Sequence, residues 1–382
     1  MERAELERIL EESGCAVRRG NAWFLTDPAW PAGRRAEVGE VLARADAADR
    51  GGRGWLGIPT GGTTGAVRFA RHDERTLGAA VRGFCAHFGL GRVNAVDVLP
   101  AHHVSGLMAR VRSAVSGGEH RAWSWKRLDD GDRPVLTPRE DGWVISLVPT
   151  QLQRLLAAEG GPEWLRGFRI IFVGGGPIWP ALADAAAAER VPVALSYGMT
   201  ETAAMVTAMR PEEFLAGARH SGRALPHARV GIGADGAITV SGESVFRGYW
   251  PAWREGGAFT TDDAGSLGAD GSLTVIGRRD AVIITGGEKV QPERVESVLK
   301  ATLAGTEVAV VGVPDVEWGE KVACCLSKPL SAPPDAAALA QLAPHERPKL
   351  WLTVDPWPVN AHGKLNRAVL REAAARCILG RG

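Results

Sequence analysis

The sequence of 382 residues has few cysteines, and their arrangement excludes several protein classes. The five cysteines form no C-x-x-C pair, and an odd number argues against a zinc module and against a secreted disulfide scaffold. Cys324 and Cys325 are adjacent in an apolar run, so we expect buried thiols there. This cysteine usage favours a reducing compartment, and we expect a cytoplasmic protein.

Long apolar segments and an excess of one charge are also missing. No segment reaches the roughly 18 consecutive apolar residues of a membrane-spanning helix. Residues 1–10 are charged and helix-like, without the apolar region of an export signal. The net charge is +1, so no overall field attracts nucleic acid or a membrane surface. We expect no nucleic-acid partner, no membrane insertion and no export.

The length and hydrophobic pattern predict a protein of two or three domains with an α/β core. Between about residues 76 and 210, apolar runs without alternation are separated by helical segments, as in strands buried on both faces. The predicted strands are Ala95–Leu99, Gly142–Val148, Arg169–Val173 and Val191–Leu195. We expect them to form a mostly parallel sheet with the active site at the carboxyl ends of its strands.

The remaining chain predicts two smaller units. Residues 220–276 contain short strands separated by Asp-Gly turns, which indicates an antiparallel β subdomain. After Arg279 we expect a compact α+β unit with a hairpin at Gly286-Gly287, a helix containing Val295 and Val298, and a strand over 307–313. The predicted domains are therefore 1–279 and 280–382, with the boundary near Asp280.

A Gly/Thr-rich segment suggests a polyphosphate loop, because glycines allow close backbone approach to an anion and threonines add hydroxyl donors. Its spacing matches neither the Walker pattern nor G-x-G-x-x-G. A surface turn without a ligand is the alternative interpretation. Arg68, shortly after the segment, adds a positive charge. The candidate residues are Thr60, Gly61, Gly62, Thr63, Thr64 and Gly65.

Four further segments each have a functional interpretation and a purely structural one. Residues 197–201 offer an aromatic ring, a hydroxyl and a carboxylate for a base, a phosphate and Mg²⁺, or they are an ordinary strand end. The turn predicted at 261–263 places a carboxylate near a ribose, or is an Asx-turn. Residues 277–280 contain a nucleotide-binding arginine and a hinge, or a solvated charge run. Lys364 follows a glycine, and most such lysines are surface residues.

The order of these segments resembles the superfamily of adenylate-forming acyl-CoA synthetases, which includes luciferases and nonribosomal-peptide adenylation domains. The resemblance covers about residues 55–370. Residues 99–107 resemble the H-V-S-G segment that lines the acyl pocket in this superfamily. Residues 146–156 are similar to the S-L-V-P-T-Q-L-x-R-L-L run of o-succinylbenzoate–CoA ligases of menaquinone synthesis.

The resemblance implies ATP, Mg²⁺, CoA and a carboxylic acid as ligands, and it assigns roles to the candidates. The glycine loop and Arg68 would hold the β- and γ-phosphates, Thr200 the α-phosphate and Glu201 the Mg²⁺. The adenine and ribose would contact Gly174, Gly175, Gly176, Tyr197, Gly198, Asp263 and Arg278. Lys364 would bridge the carboxylate and the α-phosphate. The small domain would then rotate about Asp280, and Gly286, Gly287 and Lys289 would line the CoA channel.

The implied reaction converts 2-succinylbenzoate to its CoA thioester through an acyl-AMP. Candidates for the acid pocket are His103, Ser105, Gln151 and Arg154, although Arg154 alternatively caps a helix at the surface and His103 alternatively forms pocket wall. Alternative functions are a ligase for another aryl or medium-chain acid, an enzyme that loads a carrier protein, and a non-catalytic nucleotide-binding protein. A homodimer is left open.

The sequence departs from the superfamily pattern in three places. The usual P-K-G after the loop is Val67-Arg68-Phe69, which keeps a positive charge but loses the lysine and glycine. The usual T-G-D is Thr261-Asp262-Asp263, which leaves the ribose role with Asp263. About 58 residues precede the loop, so we expect a shortened N-terminal subdomain, with consequences for oligomerisation more than for chemistry.

Overall fold

The computed structural model describes residues 1–43, 52–61, 67–176, 178–254, 256–303, 305–330, 334, 336–359 and 365–379. These residues form four β-sheets with helices packed against them. Across the same ranges, no helix combines the length and the apolar character needed to cross a membrane.

The first sheet is built from the N-terminal 72 residues, where the sequence predicted a helix over residues 1–10 and a loop over residues 60–65 but no strands. Its strand order is β1-β2-β3-β4, and β3 and β4 pair antiparallel up to Gly61 and Val67. Leu6 and Leu10 of the first helix are fully buried against one face of this sheet. The elements are α1 (Arg3–Ser13), β1 (Ala16–Arg19), β2 (Ala22–Leu25), α2 (Ala32–Ala43), β3 (Leu56–Gly61) and β4 (Val67–His72).

The second sheet has seven strands in the order β11-β10-β9-β8-β7-β5-β6. Strands β5 to β9 run parallel, and β10 and β11 add two antiparallel strands at one edge. The elements are α3 (Glu74–Phe88), β5 (Asn94–Asp97), α4 (Val104–Ser116), β6 (His120–Ala122), α5 (Trp125–Asp129), β7 (Trp143–Leu147), α6 (Pro149–Ala157), α7 (Gly161–Arg166), β8 (Ile170–Val173), α8 (Pro180–Ala188), β9 (Val193–Met199), β10 (Ala204–Ala208), α9 (Pro211–Leu215) and β11 (Arg223–Ala224).

Both faces of the parallel strands are buried, which explains the unbroken apolar runs in the sequence. Ile171 packs toward helices α6, α7 and α8, whereas the neighbouring Phe172 packs toward α3 and α4. In β7, Ile145 packs on the same side as Ile171, and Val144 packs on the same side as Phe172. The predicted mostly parallel α/β sheet is thus confirmed, with strand ends that differ from the predicted ends by up to four residues.

The third sheet corrects a predicted turn. It contains β12 (Ala228–Ile232), β13 (Ala237–Gly242), β14 (Phe259–Leu267) and β15 (Leu273–Arg278), all antiparallel. Thr261-Asp262-Asp263 lies inside β14 and forms no turn, because Asp263 pairs across the ladder with Arg278. Tyr197-Gly198 likewise remains in β9, since the chain continues extended to Met199 and pairs with β10. Charge pairing and hairpin formation here outweigh the turn propensity of Asp and Gly.

The fourth sheet consists only of residues after Asp280. The Gly286-Gly287 turn joins β16 to β17 as predicted, and both glycines have positive φ, 59° and 84°. Cys324 and Cys325 are buried on opposite faces of this sheet, which confirms the prediction of buried thiols. The elements are β16 (Ile283–Thr285), β17 (Glu288–Val290), α10 (Pro292–Lys300), β18 (Val308–Asp315), β19 (Gly319–Leu326), α11 (Ala336–Ala340), β20 (Leu350–Thr353) and α12 (Arg367–Leu379).

Candidate active site

The carboxyl ends of β7, β8 and β9 form one edge of the candidate site. Gly174 follows β8 directly, and its amide donates to the carbonyl of Leu147 at the end of β7 (3.2 Å). A side chain added at Gly174 would lie 3.6 Å from Ser196 in β9, and one at Gly175 would lie 3.5 Å from Val148. The glycines therefore sit between neighbouring strand ends, where open parallel sheets bind ligands.

The β3–β4 hairpin contributes the phosphate-binding candidates that the structure describes. Thr60 and Arg68 are directly paired across the two strands, so their side chains share one face of the hairpin. Thr60 is half-buried and Arg68 is exposed. Gly61 is the last residue of β3. Four of the predicted loop residues lie outside the described residues, namely Gly62, Thr63, Thr64 and Gly65.

Thr200 and Glu201 lie in a 3₁₀ turn, Thr200–Thr202, that follows β9 and packs against β3 and β4. Glu201 is buried, with 6% of its surface exposed, and its Oε1 accepts a hydrogen bond from the Tyr249 hydroxyl (2.6 Å). The ring of Tyr249 also faces the guanidinium of Arg68, whose central carbon lies 4.3 Å from the ring centroid. The buried carboxylate and the exposed cation of the site are thus held by one aromatic side chain.

Burial raises the pKa of the Tyr249 phenol, and the adjoining Glu201 carboxylate raises it further. The phenol therefore remains a donor at neutral pH. Sequence reasoning missed Tyr249. A signal was present, because the chain contains only two tyrosines and the other one, Tyr197, is also in the site.

His72 contacts the backbone of the same turn, Thr200–Thr202. Its ring is fully buried, with Nε2 2.8 Å from the carbonyl oxygen of Thr200 and Nδ1 3.0 Å from the Thr76 hydroxyl. Since a carbonyl only accepts, Nε2 carries the proton, and the unprotonated Nδ1 faces the Thr76 hydroxyl. Burial lowers the pKa of His72 to about 4, so the ring is neutral at pH 7.

The second tyrosine organises the candidate ribose site. The Tyr197 hydroxyl donates to Oδ2 of Asp263 (2.7 Å), and Arg278 Nη1 lies 3.7 Å from Oδ1 of the same carboxylate. Burial and the Asp263 charge raise the pKa of Tyr197, so this phenol also remains protonated. The structure thus joins Tyr197, Asp263 and Arg278, which are far apart in the sequence.

Arg278 is tied to the predicted hinge as well. Its Nε and Nη2 donate to the two carboxylate oxygens of Asp280 (2.8 and 2.6 Å), and Nη2 also donates to Asp262 (3.2 Å). Hydrogen bonding to Asp280 and the neighbouring aspartate charges raise the pKa of Arg278. Asp280 lies in the turn between β15 and β16, where the third and fourth sheets are joined.

The candidates for the acid pocket are spread over two helix N-termini. His103 is the N-cap of α4, its ring packs on His102 with 4.5 Å between centroids, and Ser105 lies in the first turn. Gln151 is engaged at the start of α6, where its side-chain oxygen accepts from the Val148 amide (3.0 Å).

Arg154, one turn beyond Gln151 in α6, is the exception among the pocket candidates. Its side chain is 62% exposed, and it donates to Asp129 on α5 (2.8 Å). The structure therefore places Arg154 at the surface with a protein carboxylate as its partner.

Lys364 lies outside the described residues, but both ends of its segment are anchored. Val359 and Leu365 form an antiparallel bridge that closes the segment between them. Arg367 donates from both terminal nitrogens to the buried carboxylate of Glu296 in α10 (2.7 and 2.9 Å) and to the carbonyl of Val310 (3.0 Å). Bidentate guanidinium–carboxylate pairs fix geometry as well as charge. In the same unit, Gly286, Gly287 and Lys289 of the β16–β17 hairpin are exposed.

Glu201 is the metal-ligand candidate of the site. Within the described ranges, no group of three or more His, Cys, Asp or Glu side chains could enclose a metal ion. A single buried carboxylate fits Mg²⁺, which proteins commonly bind through one or two carboxylates together with substrate phosphates and water.

Comparison with known proteins agrees with this architecture. The family model described as "AMP-binding enzyme" matches residues 56–250, which include β3, the large sheet and Tyr249. The 2-succinylbenzoate–CoA ligase of Geobacillus kaustophilus is 32% identical over 338 residues, which are 82% of this chain and 68% of the relative. The chain spans 68% of the length of this relative, and 60% and 59% of the length of the corresponding ligases of Listeria monocytogenes and Oceanobacillus iheyensis.

Two solved structures share the fold over nearly the whole chain. The o-succinylbenzoate CoA synthetase of Bacillus subtilis in complex with its acyl-adenylate intermediate has a TM-score of 0.73 and 27% identity, with 97% of this chain and 81% of that chain covered. The same enzyme with ATP and magnesium ion has a TM-score of 0.71 and 26% identity, with 96% and 82% covered. The chain therefore belongs to the family of AMP-binding enzymes. Within that family, it is similar to ligases that join 2-succinylbenzoate to CoA.

Proposed function

We propose that this protein is an ATP-dependent acid–CoA ligase that acts on 2-succinylbenzoate in menaquinone biosynthesis, in the cytoplasm. The observation that carries the proposal is the five-residue segment 197–201, which gathers the candidate nucleotide contacts. Tyr197 at its start binds Asp263, and Glu201 at its end binds Tyr249 beside Arg68. One side of the segment is thus suited to a ribose and the other to a triphosphate.

In the first half-reaction, a carboxylate oxygen of the acid attacks the α-phosphorus of ATP. The bond from the α-phosphorus to the bridging oxygen breaks, and pyrophosphate leaves with the electron pair. The barrier is largely repulsion between two anions, so positioning and charge neutralisation supply most of the catalysis. Arg68, Thr60 and the loop after β3 hold the β- and γ-phosphates, and Thr200 contacts the α-phosphate. Glu201 holds Mg²⁺, which neutralises phosphate charge when bound.

Lys364 bridges the reacting carboxylate and the α-phosphate in this first half. A long flexible ammonium suits two anions that approach each other. The paired Arg367 and Glu296 fix the start of α12, three residues after Lys364 in the sequence, which is compatible with this role.

In the second half-reaction, the CoA thiolate attacks the acyl carbonyl carbon, the bond to AMP breaks and AMP leaves. The unit after Asp280 rotates so that Lys364 withdraws and Gly286, Gly287 and Lys289 line the CoA channel. Gly174, Gly175, Gly176 and Gly198 remain the proposed adenine contacts, and His103, Ser105 and Gln151 remain the proposed acid contacts.

A pyrophosphate-release screen over carboxylic acids, with and without CoA, tests the proposal. We expect acid-dependent pyrophosphate release that is greatest with 2-succinylbenzoate, and a thioester that forms only when CoA is present. Greater activity with another aryl or medium-chain acid would change the substrate. Pyrophosphate release without any thioester would indicate a carrier-protein acceptor. No release with any acid would indicate a non-catalytic nucleotide-binding protein.

A further inference from the structure

Tyr249 contacts the two groups that the proposed function assigns to the triphosphate and its metal ion. We propose that Tyr249 is a positioning residue that sets Glu201 for Mg²⁺ through its hydroxyl and sets Arg68 for the phosphates through its ring. This inference rests on the proposed function. It assigns Tyr249 two separable tasks, one for each end of its side chain.

The backbone around Tyr249 is fixed against the edge of the first sheet. Tyr249 forms an isolated antiparallel bridge with Ala70 of β4, and the amide of Trp250 donates to the carbonyl of Phe69 (2.9 Å). Because Ala70 lies opposite Tyr249, Arg68 is its diagonal neighbour on the same face, within reach of an aromatic ring.

A buried arginine holds the following residues in place. The Arg71 guanidinium donates to the carbonyl oxygens of Pro251 (2.8 Å) and Ala252 (3.1 Å). Its central carbon lies 3.3 Å from the ring centroid of Trp250 and 4.5 Å from that of Trp253. The position of Tyr249 is therefore set by the core and does not depend on Arg68 or Glu201.

The ring contact bears on the unusual Arg68. A guanidinium is planar and weakly hydrated, so it stacks on an aromatic face better than the compact ammonium of lysine does. The Tyr249 ring thus holds the Arg68 guanidinium at a fixed place on β4. Arg68, which replaces the usual lysine, is thus stacked on the ring of Tyr249.

The hydroxyl contact bears on Glu201. The buried carboxylate uses Oε1 to accept from Tyr249, and this bond sets the orientation of the whole carboxylate in the turn. Hydrogen bonds to a metal ligand of this kind orient it and tune metal affinity. Removing the hydroxyl should therefore weaken Mg²⁺ binding without changing the charge of the site.

Two substitutions separate the tasks. Tyr249→Phe keeps the ring and removes the hydroxyl, whereas Tyr249→Leu removes both. Phe259→Leu is the control, because Phe259 packs on Phe246 in the same hydrophobic cluster but contacts neither Arg68 nor Glu201 in any described contact. Calorimetric titration with ATP, without any acid, measures nucleotide binding at increasing Mg²⁺ and in EDTA, and thermal melts monitor folding.

For Tyr249→Phe we expect the Mg²⁺ concentration for half-maximal ATP binding to rise about tenfold, with ATP affinity in EDTA unchanged. For Tyr249→Leu we expect an additional loss of about threefold in the EDTA affinity. In an Arg68→Lys background, Tyr249→Leu should cause no further loss in EDTA, because the stacked guanidinium is already gone. Phe259→Leu should match the wild type in both titrations.

Three results would overturn the inference. They are an unchanged Mg²⁺ requirement in Tyr249→Phe, additive losses for Tyr249→Leu and Arg68→Lys, and equal losses in Phe259→Leu. The proposed function fails separately, since a wild-type protein that binds no ATP with Mg²⁺ would refute it before any variant is compared. A Tyr249→Leu protein that does not fold leaves the hydroxyl task to be decided by Tyr249→Phe alone.

Discussion

Tyr197 and Tyr249 each donate a hydrogen bond to a carboxylate of the candidate site. Each phenol is kept protonated by burial and by the negative charge it contacts. A protonated phenol donates one directional bond and carries no charge. It can therefore orient a carboxylate without neutralising it, and the carboxylate keeps its charge for a metal ion or leaves its second oxygen for a ribose.

His72 gives a prediction about pH at the residue scale. Its pKa is about 4 in the folded protein and 6.5 in an unfolded chain, so between these values the unfolded chain binds the proton more strongly. Its contribution to stability is complete above pH 6.5 and is lost as the pH falls toward 4. At 1.36 kcal/mol per pKa unit, the loss is about 3 kcal/mol.

Urea denaturation of the wild type and of His72→Gln, followed from pH 7.5 to pH 4, measures this contribution. We expect the urea midpoint of the wild type to decline more steeply below about pH 6.5 than that of the variant. Parallel declines would contradict the assignment of the neutral ring. The variant should also shift the Thr200 turn, and a lower rate of acyl-AMP formation at pH 7.5 would report that shift.

At the scale of elements, the β9–β10 hairpin supplies the segment on which the site depends. Its strands approach closely at Gly198, where an added Cβ would lie 2.1 Å from the carbonyl oxygen of Ala204. Only glycine permits this approach, because a real Cβ atom never comes so near to a backbone oxygen. Gly198 therefore has a structural role in addition to any contact with a nucleotide.

Gly198→Ala should force the hairpin apart and displace both Tyr197 and Glu201. We expect a loss of about 1–3 kcal/mol in the free energy of unfolding, together with weaker ATP binding. Gly39→Ala is the control, because an added Cβ at Gly39 would meet no atom within 4 Å and Gly39 is not a candidate site residue. Equal stability of the two variants, measured by thermal and urea denaturation, would show that the hairpin tolerates the methyl group.

At the scale of the whole molecule, the site draws on three sheets while Lys364 belongs to the unit after Asp280. The guanidinium of Arg278 lies at the junction, since it binds Asp263 on one side and Asp280 on the other. The predicted boundary near Asp280 and the rotation about it stay predictions. They lead to an expectation about which half-reaction each residue serves.

Lys364→Ala should slow acyl-AMP formation at least about 100-fold, yet spare thioester formation from supplied acyl-AMP. Asp280→Pro should slow thioester formation more than acyl-AMP formation, because proline fixes φ at the turn between the sheets and hinders rotation. Asp280→Ala is its control, since it loses the bond to Arg278 but keeps a free backbone. Single-turnover measurements of both half-reactions test the two variants. An equal loss of rate in both half-reactions for Lys364→Ala would refute the role of the lysine.

The family, the parallel core and the candidate residues could be predicted from the amino-acid sequence, because these depend on local signals. Apolar runs indicate which strands are buried on both faces, and the motifs can be recognised from their residues and their order in the sequence. The Gly286-Gly287 hairpin and the buried Cys324 and Cys325 follow from the same kind of signal. The strand conformation of Thr261–Asp263 could not be predicted from local signals, because these polar residues are stabilised by pairing with β15.

Which side chains contact one another depends on tertiary packing. Tyr249 lies 48 residues from Glu201 in the chain, and the contact exists because residues 246–250 return to the edge of β4. His72 is 128 residues from Thr200 in the chain, and Arg154 of α6 pairs at the surface with Asp129, 25 residues away. Such contacts depend on how distant segments pack, and no local pattern of propensity or hydrophobicity encodes them.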